Sequence, residues 1–113
     1  MEPRYFANLQ TGKRVQRASG IERVTLAYNE STMLCYFYLK KGSSLPMHTH
    51  LAAQNGIVLK GEVVFLKGNG ERHHLHAGDA YLFDSMAPHG SEILEDTELL
   101  ECFTPAREDY LDP

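Results

Sequence analysis

Short apolar runs, separated by glycine, proline and other turn residues, follow one another along this chain, and none of them continues with helical periodicity. The runs are rich in aromatic and β-branched residues, which favour strands. They predict strands at residues 21–28, 33–40, 55–60, 62–67, 71–76, 79–84 and 97–104, with a weaker one around 14–17. Many short strands without helices between them predict an all-β antiparallel sandwich or barrel.

Length and charge narrow the class of protein. The 113 residues are the size of one small domain, so we expect a single domain over 1–113. With 11 Lys+Arg against 15 Asp+Glu, the chain has no excess of basic residues for nucleic-acid binding. No apolar run approaches the roughly 20 residues that span a bilayer. The first residues show no secretory pattern, so we expect a cytoplasmic protein with Cys35 and Cys102 as buried free thiols.

The clearest turn is Lys67-Gly68-Asn69-Gly70. An Asn-Gly pair tolerates positive φ at both central positions of a tight hairpin, so this turn is predicted to join strands 62–67 and 71–76.

Histidines supply the strongest chemical signal. His48 and His50 are two positions apart, so on a strand their side chains would point to the same face. Gln54 has the same parity if the strand stays regular, and His89 would arrive from another strand. Three imidazoles and an amide oxygen make a plausible site for a divalent transition metal. Surface strands also carry such histidine pairs without binding a metal.

Glycines at fixed distances from these histidines carry a family resemblance. The pattern Gly42-x5-His48-x-His50-x3-Gln54-x6-Gly61 resembles the first motif of the cupin family, which usually has Glu at the position of Gln54. A neutral amide there would leave a bound ion its full charge, which makes a stronger Lewis acid and a better anchor for an anion.

A second motif follows after residues 62–77. Gly78-x5-Asp84-x-Met86-x2-His89, within residues 78–93, resembles the second cupin motif, G-x5-P-x-G-x2-H. Asp84 and Met86 replace its Pro and Gly, and we expect this to alter the turn before His89. The resemblance implies an antiparallel jelly-roll barrel of six to eight strands. It also implies one divalent metal ion (Ni, Zn, Fe or Mn), held by His48, His50, Gln54 and His89.

The C-terminal residues 103–111 (FTPAREDYL) are similar to the F-[ST]-P-x-R-x-D-[FY]-L ending of small single-domain cupins. Among these are cupins of pectin degradation that act on 4,5-unsaturated galacturonate. The resemblance implies substrate contacts by Glu101, Phe103 and Arg107, with Glu101 in place of an Asp. Glu101 and Phe103 share parity on the last strand, so both can face one cavity.

These residue types suit a carboxylated substrate. Arg107 could form a fork with a substrate carboxylate, and Glu101 could transfer protons. The alternative is that Glu101 is a rim carboxylate and that Arg107 fixes the C-terminal tail through Glu108 or Asp109.

Other residues are expected to have structural roles. Leu75 is predicted to face the core, which points His74 and His76, beside His73, to a solvated face where an ion could bind adventitiously. Tyr36 and Tyr38 oppose Phe37 and could line the cavity or a dimer contact. Parity leaves open whether Tyr81 and Phe83 or Ala80 and Leu82 face inward.

Three hypotheses about function follow. The first is a metal-dependent Lewis-acid enzyme that acts on a small carboxylated, sugar-like substrate by ring opening, isomerisation or a lyase-type reaction. The second is a non-catalytic barrel that binds or senses a small ligand, because a fold alone does not determine function. The third is an Fe-dependent dioxygenase. In each case we expect a small anionic molecule as partner, no nucleic acid or membrane, and a homodimer.

Overall fold

The computed structural model describes residues 1–113 and contains two antiparallel sheets, which confirms the predicted jelly roll. It has ten strands rather than six to eight. They are β1 (Arg14–Ala18), β2 (Ile21–Tyr28), β3 (Met33–Leu39), β4 (Ser44–His48), β5 (Ala53–Lys60), β6 (Glu62–Lys67), β7 (Arg72–His76), β8 (Ala80–Phe83), β9 (His89–Ile93) and β10 (Thr97–Thr104). A 3-10 turn, Glu108–Tyr110, follows, and no helix has the length and apolar character that a membrane crossing needs.

The core lies between the two sheets. One sheet has the strand order β1-β2-β3-β10-β5-β8, and the other has the order β4-β9-β6-β7. The hydrophobic core comprises 15 buried residues. Burial alternates along β10, where Thr97, Leu99, Glu101 and Phe103 are buried. Successive strand side chains point to opposite faces, so Glu101 and Phe103 lie on the inward face together.

Two strands, β4 and β9, are additional to those predicted. Neither presents an apolar run, since β4 reads SLPMH with a proline and β9 reads HGSEI. They pair with each other, and β9 also pairs with β6. The pairing depends on their neighbours in the sheet, and these two strands carry His48 and His89.

The hairpin between β6 and β7 forms, but not with the predicted backbone. Gly70 has a φ of 89°, whereas Asn69 does not adopt positive φ. The Gly70 N–H donates to the Lys67 carbonyl at 3.0 Å, and the Lys67 N–H donates to the Glu71 carbonyl at 2.9 Å. The loop therefore has three residues with glycine in the left-handed position, rather than a two-residue turn with positive φ at both positions.

The structure resolves which side chains face inward. Phe83 is buried in the core with Tyr81 packed against it, while Leu82 is 63% exposed. Phe37 also lies in the core, so Tyr36 faces outward, where its hydroxyl donates to Glu98 at 2.5 Å.

Both cysteines are free, as predicted. Cys35 is buried, but Cys102 is only half-buried. The reason is that Cys102 alternates with the inward-facing residues of β10 and lies on its outer face.

Candidate metal centre and cavity

Three imidazoles meet between the two sheets. His48 ends β4 and lies opposite His89, the first residue of β9, with ring centroids 4.4 Å apart. The His50 ring lies 4.9 Å from the His89 ring and 5.5 Å from the His48 ring. One ring nitrogen from each histidine lies within 4.8 Å of the others.

His48, His50 and Gln54 do not lie on one regular strand, as parity predicted, although the three histidines do come together. β4 ends at His48, so His50 lies in the connection to β5 and Gln54 belongs to the next strand. The His50 carbonyl accepts a 2.9 Å hydrogen bond from the Met86 N–H, which joins this connection to the loop before His89. Met86 adopts a φ of 64°, so this turn forms without the glycine of the second motif.

Backbone carbonyls orient all three rings. Nδ1 of each histidine faces the carbonyl oxygen of a residue two positions away, at 2.9 Å for His48, 2.7 Å for His50 and 2.8 Å for His89. A carbonyl can only accept, so each Nδ1 carries the proton. The lone pair of each neutral ring is therefore on Nε2, the arrangement typical of metal-ligating histidines.

No hydrogen-bond donor faces the Nε2 atoms of the three histidines. His89 Nε2 is buried without a hydrogen-bond partner. His50 Nε2 lies 3.0 Å from Gln54 Oε1, while the Gln54 amide nitrogen donates to Glu101 Oε2 at 2.5 Å. Two acceptor atoms thus face each other, which a cation between them would satisfy. The donor set of His48, His50, His89 and Gln54 Oε1 fits a divalent transition metal.

Burial affects the charge of the rings as well. It lowers the pKa of His89 to about 4, with smaller contributions from His48 and His50. Burial likewise lowers the pKa of His50. Both imidazoles are therefore neutral at pH 7.

A buried carboxyl group lies directly behind Gln54. Glu101 Oε2 accepts hydrogen bonds from the Gln54 amide and from the Tyr81 hydroxyl, both at 2.5 Å. Burial raises the pKa of Glu101 to about 7, although these two hydrogen bonds and the charge of Arg107 act in the opposite direction. Glu101 is therefore an inward-facing carboxyl with a pKa near neutrality. It does not lie at the rim, which was the alternative prediction for this residue.

Gly56 allows Tyr81 to reach this carboxyl. In the sheet register Gly56 lies between Tyr81 of β8 and Glu101 of β10. A Cβ atom at Gly56 would lie 2.6 Å from the Tyr81 hydroxyl and 2.6 Å from the Leu100 carbonyl oxygen. Only glycine leaves space for the tyrosine side chain to cross β5.

A cavity of about 130 Å³ opens onto this site. Its wall includes His48, Gln54, His89, Glu101 and Phe103, together with apolar core residues. The centre is thus reachable by a small molecule.

Arg107 lines the same cavity, but its fork is engaged. It donates to both carboxylate oxygens of Asp109, at 3.2 and 2.8 Å, and to the Tyr110 hydroxyl at 3.0 Å. Its guanidinium carbon lies 5.6 Å from the centroid of the Phe103 ring. Arg107 therefore interacts with the C-terminal tail through Asp109.

Sequence reasoning left one group behind the site undecided and missed one at the cavity. The direction of Tyr81, which donates to Glu101, was left open because both faces of β8 are apolar. Arg17 also lines the cavity, and no motif in the sequence marks it.

The second histidine group is exposed, as predicted. His74 Nε2 lies 2.9 Å from one oxygen of Glu62, and His76 Nε2 lies 3.7 Å from the other. The two rings are stacked with centroids 4.6 Å apart, and Leu75 between them is in the core.

Comparison with known proteins agrees with this geometry. Residues 35–103 match the family described as Cupin domain. The chain therefore belongs to the cupin family, and the predicted fold class is confirmed.

Individual relatives are similar over almost their full length. The chain is 31% identical over 112 residues to the pectin degradation protein KdgF of Dickeya dadantii, covering 96% of this chain and 98% of that protein. The structure of KdgF from Halomonas sp. matches with a TM-score of 0.85 and 28% identity over 95% of this chain and 97% of that one. An RmlC-like cupin from Shewanella frigidimarina matches with a TM-score of 0.91 and 26% identity over 98% and 100% of the two chains.

Proposed function

We propose that this cupin is a metal-dependent enzyme that uses Lewis-acid chemistry on a small carboxylated, sugar-like substrate, by ring opening, isomerisation or a lyase-type reaction. The observation that carries the proposal is the position of Glu101. A buried carboxyl, one hydrogen bond away from a candidate metal ligand and in the wall of a cavity, suits proton transfer at the centre. A barrel that only binds a ligand has no need of such a group.

The candidate ligands are His48, His50, His89 and Gln54, and the ion would be one of Ni, Zn, Fe or Mn. When bound, it would polarise a substrate oxygen as a Lewis acid. Gln54 is held with its oxygen toward the histidines because its amide nitrogen donates to Glu101.

Glu101 supplies the acid–base function in this proposal. Opening of the cyclic hemiacetal of an unsaturated uronate removes the proton of the anomeric hydroxyl and breaks the bond between the anomeric carbon and the ring oxygen, which leaves a carbonyl and an enolate. Return of the proton to the alkene carbon of the enolate gives a ketone and removes the conjugated alkene. A single carboxyl that accepts and then donates one proton balances this reaction without an oxidant. Tyr81 holds the carboxyl in place by donating to Oε2, and Phe103 forms the apolar wall beside the site.

Relatives support the substrate class. The similarity to pectin degradation proteins over nearly the whole chain suggests a sugar acid. The cavity volume of about 130 Å³ favours a monomeric sugar acid over a polymer. Arg107 is one proposed contact of the substrate carboxylate, through the N–H groups that Asp109 and Tyr110 leave free.

The test uses protein made without an affinity tag, loaded with metal and mixed with an unsaturated uronate. We expect loss of ultraviolet absorbance as the conjugated alkene disappears. Glu101→Gln should lower turnover by roughly 10²- to 10⁴-fold, the usual contribution of a general acid–base, while the metal content stays near one ion per chain. Glu98→Gln is the matched control, because Glu98 lies on β10 but pairs with Tyr36 on the outer face.

Other outcomes would contradict the proposal. Tight binding of a small acid without turnover would make the protein a binding or sensing cupin. Oxygen consumption by the Fe(II)-loaded protein would make it a dioxygenase.

We also propose a homodimer that forms through the outer face of the six-stranded sheet. Leu34, Ile57 and Leu82 are exposed there on β3, β5 and β8. Tyr36 is not available for this contact, because it is buried with the Arg14 guanidinium carbon 5.5 Å from its ring centroid. Sedimentation of Leu82→Glu beside the unsubstituted protein tests the proposal, since a charge in the contact should give monomers.

A further inference from the structure

We infer that Arg17, seated on the ring of Tyr110, is the principal binding residue for the substrate carboxylate in this cavity. The inference rests on the proposed function and names a specificity-determining residue for it. Arg17 lines the same cavity as His48, His89 and Glu101.

A β-bulge places this side chain. In the pairing of β1 with β2, Gln16 lies opposite Glu22 and Ala18 lies opposite Ile21, so Arg17 has no partner residue. Bulges bend an edge strand and redirect the side chain of the extra residue, often beside functional sites. Here the bulge lies at the edge of the six-stranded sheet, and its extra residue reaches the cavity.

The guanidinium of Arg17 keeps all its donors available. Its carbon lies 4.6 Å from the centroid of the Tyr110 ring, and it makes no hydrogen bond or ion pair in the structure. Arg107, in contrast, already donates to both oxygens of Asp109 and to Tyr110. A guanidinium that stacks on an aromatic ring with a free fork is suited to bidentate recognition of a carboxylate.

The surroundings of Tyr110 also have an excess of positive charge. Three guanidinium carbons lie near its ring centroid, at 4.6 Å for Arg17, 4.8 Å for Arg23 and 4.0 Å for Arg107. Arg23 is only 2% exposed, and its one side-chain hydrogen bond is to the neutral hydroxyl of Thr25. Asp109 is the only carboxylate that forms an ion pair with any of the three. An anion bound at Arg17 would offset the remaining positive charge.

The ligand class follows from these contacts. Arg17 would bind a carboxylate, and the histidine and Glu101 side of the cavity would take hydroxyl or carbonyl oxygens of the same small molecule. A sugar acid has both kinds of group, whereas the corresponding neutral sugar lacks the first. Arg17 therefore selects acid over neutral sugar.

The test measures binding of D-galacturonate and of D-galactose to the metal-loaded protein by calorimetry. We expect Arg17→Gln to weaken galacturonate binding about 10- to 100-fold, the range for loss of a hydrogen bond to a charged group. Galactose binding should not change. Arg17→Lys, which keeps the charge but not the fork, should recover part of the affinity. Arg14→Gln is the matched control, because Arg14 is on the same strand but pairs with Glu22 at 3.4 Å.

Failure of this inference can be separated from failure of the proposed function. Unchanged galacturonate affinity in Arg17→Gln, with a loss in Arg107→Gln, would overturn the role of Arg17 and leave the proposed function standing. If the unsubstituted protein binds neither sugar, the sugar-acid assignment fails. Inorganic sulfate then decides the anion subsite. A sulfate-dependent shift of the Arg17 Nε–H NMR signal, absent for Arg14, would support it, and no shift would overturn it.

Discussion

Two groups of histidines in this protein contain similar residues and have opposite environments. His48, His50 and His89 lie between the sheets with every Nδ1 bonded to a backbone carbonyl, so that the Nε2 lone pairs converge. His74 and His76 lie on an exposed strand, with each Nε2 facing a carboxylate oxygen of Glu62. In the first group, hydrogen-bond acceptors face one another. In the second group, the Glu62 carboxylate can accept a hydrogen bond from a histidine ring.

The two groups differ in how fully their polar atoms are satisfied, and this difference predicts which of them binds a cation more tightly. In the exposed group, Glu62 accepts a hydrogen bond from His74, and the His76 ring lies where water can solvate it. In the buried group, His89 Nε2 remains without a partner in a region where an unsatisfied polar atom costs about 1–3 kcal/mol. A bound cation would offset that cost only at the buried group.

The largest expected effect distinguishes the two groups directly. His89→Ala should weaken divalent metal binding by about 10²-fold or more, because even loss of residues that merely orient a ligand weakens binding 10- to 100-fold. Competition with a chelator for Zn²⁺ measures this affinity. His74→Ala should leave the tight site intact. Equal losses in the two variants would show that both groups contribute to binding.

The second prediction concerns the support behind Gln54. Gly56→Ala places a methyl group 2.6 Å from the Tyr81 hydroxyl, so the free energy of unfolding should fall by about 1–3 kcal/mol. Urea denaturation measures the change. Tyr81→Ala removes the side-chain atoms that make two of the three close contacts, at 2.6 and 2.7 Å, so the loss in the double variant should be smaller than the sum of the two single losses. Additive losses would show that the Tyr81 ring does not limit this position.

The third prediction concerns the loop that holds His50. Met86 is 53% exposed and has a φ of 64°, so Met86→Gly should raise the free energy of unfolding by about 1 kcal/mol. Met47→Gly is the control, since Met47 is 47% exposed on β4 without positive φ. There glycine should lower stability by roughly 0.5–1 kcal/mol. A loss of stability in both variants would show that Met86 is not strained.

The smallest effect is expected at the exposed group. His74→Ala should change the free energy of unfolding by less than about 0.5 kcal/mol, since exposed ion pairs contribute little. The ratio of metal to protein should stay unchanged when both are made without an affinity tag. A lower ratio would reveal a second ion on β6 and β7.

Much of the fold could be predicted because apolar patterning decides it. Strands β2, β6 and β10 coincide with the predicted segments, since each is rich in apolar and β-branched residues and lies between turn residues. The glycines of the two motifs, Gly42, Gly61 and Gly78, all have positive φ, so their spacing reflects turns that glycine adopts without strain. β4 and β9 lack an apolar run, and only pairing with neighbouring strands makes them strands.

The candidate site likewise has features that the sequence predicts and features that only packing determines. Spacing and residue type predicted the set His48, His50, Gln54 and His89, because the residues of a motif and the distances between them can be read from the sequence alone. What Arg17 and Tyr81 contact could not be predicted, and the partner of Arg107 was left open between a substrate carboxylate and the acids of the C-terminal tail. A bulge, an ion pair with Asp109 and a missing side chain at Gly56 determine these contacts, and all of these arise from three-dimensional packing. Local preference thus specifies the turns, strands and ligand types, whereas charge balance and side-chain direction follow only once distant strands pack against one another.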